Sequence, residues 1–170
     1  GTRYMINKMK LALAGAVIAT GMVSNAAYAA TEQADATVQV LAAVQLTEYQ
    51  ALDFGVVAAS AAGGTVSISA SGAATPVGTG VIAISGGSAA RFRVTQATNG
   101  EVIDLAVGNP TPLVGTGANI ALSGLTLSTS SITYNSAALQ DIYVGGTISL
   151  NPNQLAGTYT GTFDVTAEYQ

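Results

Sequence analysis

Cysteine, histidine and tryptophan are all absent from this chain of 170 residues. Without histidine and cysteine there is no zinc site of the usual kind, no Ser-His-Asp triad and no thiolate nucleophile, which removes most hydrolase chemistry. Without cysteine there is also no disulfide, so stability must come from an apolar core and hydrogen-bonded ladders, even in a compartment that permits disulfides. Positive charge is scarce. Five Lys and Arg stand against nine Asp and Glu, a net charge of −4, and three of the five bases (Arg3, Lys8 and Lys10) lie in the first ten residues. From residue 30 onward two arginines, Arg91 and Arg93, face all nine acids, a net −7. Such a surface repels phosphate backbones and anionic lipid, so no nucleic-acid partner is expected.

The few polar constellations are weak. Asn99, Glu101 and Asp104 carry the oxygen ligands that calcium takes, but their spacing matches no calcium loop and they read better as a solvated hairpin end. Asp53, Asp141 and Asp164 are of the type that serves glycosidases as acid and base, yet nothing in the sequence brings them together. Arg91 and Arg93 share one face of a strand and are expected to pair with an acid across the sheet. No cofactor, no metal and no catalysis are expected.

The N-terminal residues carry an address. The basic start, the apolar stretch Leu11 to Val23 and the small-x-small site Ala27-Tyr28-Ala29 form a secretion signal over residues 1–29, with Met5 as initiator after a four-residue remnant. The apolar stretch is shorter than the roughly 20 residues a bilayer span requires. The mature chain then starts at Ala30, holds one domain over 30–170 and has no transmembrane segment.

That domain reads as β throughout. Apolar residues alternate at Ala34, Ala36, Val38, Val40, Ala42, Val44 and Leu46, the period of a strand with one apolar face, and residues 34–47 read as one long strand. Leu52 to Ala59 reads as a strand kinked at Phe54-Gly55, and Val66, Ile68 and Ala70 alternate with serines. Ala90, Phe92 and Val94 alternate with Arg91 and Arg93, and Asn99-Gly100 is the strongest hairpin signal in the chain. Ile120 to Leu127 reads as one or two strands interrupted by Gly124, and Asp141 to Leu150 as a strand broken at Gly145-Gly146. In the closing run, Tyr159, Phe163, Val165 and Tyr169 are expected on one buried face, with Thr162, Asp164 and Thr166 opposite. Truncating Phe163 to Ala would then cost about 3–5 kcal/mol. Eight to ten strands at this spacing predict an all-β, antiparallel immunoglobulin-like or pilin-like β-sandwich.

The post-signal alternating strand, Leu52-Asp53-Phe54-Gly55, and the run from Ala156 to Phe163 together resemble secreted bacterial pilin-like β-sandwich proteins. The nearest is a bacterial family of unknown function, and the spore-coat-U type subunits of chaperone–usher pili are similar in layout. Tyr169, one place before the last residue, fits the same pattern. The resemblance implies a structural subunit that leaves through the periplasm and ends in a fibre at the cell surface. Its partners would be other copies of itself, a periplasmic chaperone and an outer-membrane usher. It also implies that residues 34–47 are a donor strand, with Val38, Val40, Ala42, Val44 and Leu46 filling a groove in the next subunit. Burial of the four large side chains would contribute on the order of 6–12 kcal/mol before ordering costs. The alternative is a monomeric secreted or surface module, for example a carbohydrate-binding adhesin, whose sandwich is completed by its own first strand.

Overall fold

A computed structural model describes residues 29–170; the secretion signal expected over 1–29 lies outside the described residues except at Ala29. The strands are β1 (Gln45–Gln50), β2 (Val56–Ala58), β3 (Gly64–Ile68), β4 (Val77–Thr79), β5 (Ile82–Ser85), β6 (Ala90–Gln96), β7 (Val102–Gly108), β8 (Ala121–Leu127), β9 (Ser131–Thr133), β10 (Ile142–Leu150) and β11 (Asp164–Tyr169). Every pairing is antiparallel. The fold is all-β, as the alternating pattern predicts. Among the described residues no helix is long and apolar enough to cross a membrane.

One sheet runs β1-β6-β10-β3-β4, with β8 on the other edge of β10, and a second runs β11-β7-β9. The main core lies between them. Ala90, Phe92 and Val94 of β6 and Ile142 and Val144 of β10 point inward from the first sheet, and Ile103 and Leu105 of β7 and Ile132 of β9 meet them from the second. Each set follows the period of two along its strand, which is why a plain reading of alternation finds them. A smaller core gathers Phe54, Val66, Ile68, Ala89, Ile120 and Ile148.

The long strand β10 joins the two cores, and the glycines expected to break it are what let it pass. It pairs with β6 through Ile142–Val144 and with β3 through Gly146–Leu150. The partner changes at Gly145, where the backbone of Ile68–Ala70 crosses so closely that a Cβ would meet the Ile68 carbonyl and stand 2.6 Å from the Ala70 nitrogen. Gly124 does not divide its strand either. It sits in β8 at φ +59, beside the register shift opposite Gly145–Thr147, as a glycine bulge does. Asn99-Gly100 makes a turn but not a hairpin, because β6 and β7 belong to different sheets. The turn carries the chain across the sandwich, and Asn99 Oδ1 accepts from the Ser136 amide at 2.8 Å to fix it.

The long N-terminal strand is the largest departure from the sequence reading. Strand structure starts only at Gln45, opposite Gln96 at the end of β6. Beyond Gln96 the partner chain turns away at Asn99-Gly100, so the residues before Gln45 have no strand to pair with. Alternation set the side-chain pattern there, but a ladder needs a neighbour.

The closing strand keeps the expected register. Val165, Ala167 and Tyr169 are half-buried and pack on the main core, whereas Asp164, Thr166 and Glu168 are exposed. Phe163, just before β11, is also half-buried, its ring edge-on to Phe92 at 6.4 Å. Tyr159 does not share this face; it packs against the smaller core. Because Phe163 is only half-buried, Phe163→Ala is expected to cost about 2–3 kcal/mol, below the full-burial range, and Thr162→Ala well under 1 kcal/mol. Urea denaturation of the two variants measures the difference.

Candidate functional site

Three features stand out: a segment without a partner, an anchor at its root, and an open groove. Residues 29–38 form no strand and are exposed, with Val38 at 85%. Val40 is 83% exposed. Single exposed apolar side chains are ordinary, but these two are the most open of the large exposed apolar side chains among the described residues and alternate on one segment. Val44 and Leu46 behave differently, being half-buried and packed on the main core of their own domain. The expected donor set therefore divides: Val38 and Val40 are free, Val44 and Leu46 are engaged, and Ala42 marks the border.

Ala42 is held through both of its backbone polar groups. Its amide donates to Thr98 Oγ1 at 2.8 Å, and its carbonyl accepts from the Tyr169 hydroxyl at 2.5 Å. The same hydroxyl accepts from the Thr98 amide at 2.8 Å. The penultimate tyrosine thus ties the end of β11, the end of β6 and the root of the N-terminal arm into one clasp.

The groove lies beyond the other end of β1. Its larger part has a volume of about 840 Å³ and is bordered by Ala51–Ala59 on one side and Gln154–Tyr159 on the other, over a floor of Ile120, Ile148 and Leu150. A smaller part of about 220 Å³ continues it between Leu52 and Tyr159–Gly161 with Phe163. The resemblance implies a receiving groove without giving its residues, and Leu52-Asp53-Phe54-Gly55 and Ala156–Phe163, singled out for that resemblance, contribute to the two borders of this one. The local chemistry explains the first border. Asp53 exchanges backbone bonds with Ser88 at 2.9 and 2.7 Å, and its Oδ1 accepts from the Gly55 amide at 2.8 Å. Gly55 then takes φ +75 in a place where a Cβ would lie 2.5 Å from the Ser85 carbonyl oxygen. That turn aligns β2 with β5, and among the described residues β2 has no strand on its other edge. On the second border the Tyr159 hydroxyl donates to the Leu155 carbonyl at 2.8 Å and accepts from Gln154 Nε2 at 2.9 Å. Among the described residues Asp53 is the one carboxylate on the groove wall, and its bond to Gly55 gives it a structural task. An unpaired strand edge above an apolar floor is the chemistry that accepts an added strand: main-chain bonds along the edge, pockets for alternate side chains.

Away from the groove, the expected cross-sheet pairing of the two arginines is present. Arg93 Nε donates to Asp141 Oδ1 at 2.6 Å, Arg91 Nη1 is 3.9 Å from Asp141 Oδ2, and both guanidinium groups lie over the Tyr49 ring at 5.2 and 5.7 Å. The Arg93 hydrogen bond holds the Asp141 carboxyl below its ordinary value and raises Arg93 in turn. A depressed carboxylate contributes stability that is complete above its unfolded value and fades as pH falls through the folded one. Asp141→Asn is therefore expected to melt below the parent at pH 7, with the gap closing as pH drops below about 4. Thermal melts from pH 7 to pH 2 measure it. Asp53, Asp141 and Asp164 do not form a pair: Asp141 serves the arginines, Asp53 its turn, and Asp164 Oδ2 accepts from Asn109 at 2.9 Å. Asn99 likewise serves Ser136, and among the described residues no group of three or more acids, histidines or cysteines is placed to hold a metal.

Residues 44–169 match the model of a family described as a domain of unknown function, DUF4402. No curated protein and no solved structure matches the chain.

Proposed function

We propose that this chain, which belongs to the DUF4402 family, is a structural subunit of a bacterial surface fibre that assembles when the unpaired arm of one copy enters the groove of another. The observation that carries the reading is the coexistence, in one chain, of an exposed alternating segment at Val38 and Val40 and an open apolar groove beside an unpaired strand edge. Each supplies what the other lacks. Burial of the two valines would contribute roughly 3–6 kcal/mol, and each main-chain hydrogen bond gained along β2 about 0.5–1.5 kcal/mol. The sum is smaller than the full alternating run promised, because Val44 and Leu46 already stabilise their own domain.

The setting follows from the N-terminal signal. The chain crosses into the periplasm, and other copies of itself are its partners in the fibre. A free groove in transit is an aggregation hazard, which is the task a periplasmic chaperone performs before an outer-membrane usher. No step of this scheme is catalytic. A carbohydrate-binding module fits less well, since among the described residues Tyr159 is the one tyrosine on the groove wall and its hydroxyl is bonded to its own loop.

A synthetic peptide of residues 34–41 tests the reading. Titrated into the domain beginning at Ala42, it is expected to bind saturably and raise the melting temperature, and a peptide with Asp at both valine positions is expected to do neither. Equal behaviour of the two peptides would remove the groove as the receiving site.

A further inference from the structure

We infer that Tyr169, together with Thr98, is a positioning residue that fixes the root of the arm at Ala42 and so denies the chain's own groove to Val38 and Val40. The inference rests on the fibre reading for its consequence, but its geometry stands by itself. The clasp and the groove lie at opposite ends of β1. Gln45 pairs with Gln96, two residues from Thr98, whereas Gln50 at the far end of β1 leads directly to Ala51 on the groove wall. The six residues of β1 alone hold these ends about 17 Å apart. Val40 is two residues from the anchored Ala42 and reaches at most about 7 Å from it, and Val38, four residues away, at most about 14 Å. While the Tyr169 hydroxyl and Thr98 Oγ1 hold both backbone groups of Ala42, neither valine reaches its own groove.

The consequence is selectivity between two copies and one. A released root would let the chain ahead of Gln45 peel back, lengthen the arm and let it fill its own groove, ending growth. A clasped root leaves the groove open for the arm of a different copy, and the interface becomes head-to-tail, which propagates rather than closes. The clasp uses a side chain whose ring also packs on the core, so the hydroxyl can be removed without removing the packing.

The test uses the absence of native cysteine. Val38→Cys and Val56→Cys are combined in the processed chain, Val56 being a 58% exposed position on the groove wall, and treated with a short thiol crosslinker. The same pair is placed in chains that also carry Tyr169→Phe or Thr98→Ala, with melting curves recorded for each. At high dilution, where copies do not meet, the clasped chain is expected to give little internally linked monomer, and each clasp variant at least threefold more. At high concentration the clasped chain is expected to give a ladder of linked copies. An internal product equally abundant with and without the Tyr169 hydroxyl overturns the positioning role, whatever the ladder shows. Loss of the ladder alone, with the internal difference intact, overturns the fibre reading and leaves the clasp standing.

Discussion

Replacing Val38 and Val40 by aspartate is expected to abolish assembly while leaving the monomer as stable as before. Both side chains are exposed in the isolated chain, at 85% and 83%, and exposed substitutions of this kind usually change stability by less than about 0.5 kcal/mol. In the fibre the same positions would have to enter an apolar groove, and a carboxylate buried without a partner costs several kcal/mol even after it takes up a proton. Sedimentation and thermal melts on one preparation read both effects. Val44→Asp and Leu46→Asp provide the contrast, because those side chains already pack on their own core. They are expected to lower the stability of the monomer itself by roughly 1–3 kcal/mol. If all four substitutions destabilised the monomer alike, the division of the alternating run at Ala42 would be wrong.

Gly145→Ala is expected to destabilise the domain by roughly 3 kcal/mol, the upper end of what overpacking usually costs. The added Cβ would press on the carbonyl of Ile68 and the nitrogen of Ala70, and both are backbone atoms that cannot turn aside as a flexible side chain can. The damage falls where β10 changes partner from β6 to β3, so the main core, the smaller core and the groove floor at Ile148 all move together. Gly108→Ala is the control: its Cβ meets nothing within 4 Å and its φ is ordinary, and it is expected to change stability by less than about 0.5 kcal/mol. Chemical denaturation with both variants decides the point. A Gly145 variant no weaker than the Gly108 one would show that the close crossing at β10 is not required.

These two sites also mark where sequence reading succeeds and stops. Ala90, Phe92 and Val94, and Val165, Ala167 and Tyr169, declare their buried faces through a period of two, which depends on local geometry alone. The class of the fold is legible for that reason. Pairing is not local. Gly145 reads as a break because nothing in its neighbours along the chain says that another strand will cross there. Asn99-Gly100 reads as a hairpin because the turn itself is the same whether the next strand joins the same sheet or the opposite one. The arm reads as a long strand because alternation records a side-chain pattern, without recording whether a neighbouring strand is there to pair with it. The groove is the least legible feature, assembled from Ala51–Ala59 and Gln154–Phe163, segments about a hundred residues apart whose own patterns are short and glycine-broken.

The central claim is that residues before Ala42 build contacts between copies and contribute little within one. Sedimentation velocity and electron microscopy of two chains, residues 30–170 and residues 42–170, test it most directly. The longer chain is expected to form filaments and the shorter one to remain a monomer with the same β circular dichroism and a melting temperature within a few degrees. Two chains that are both monomeric, or both filamentous, would contradict it.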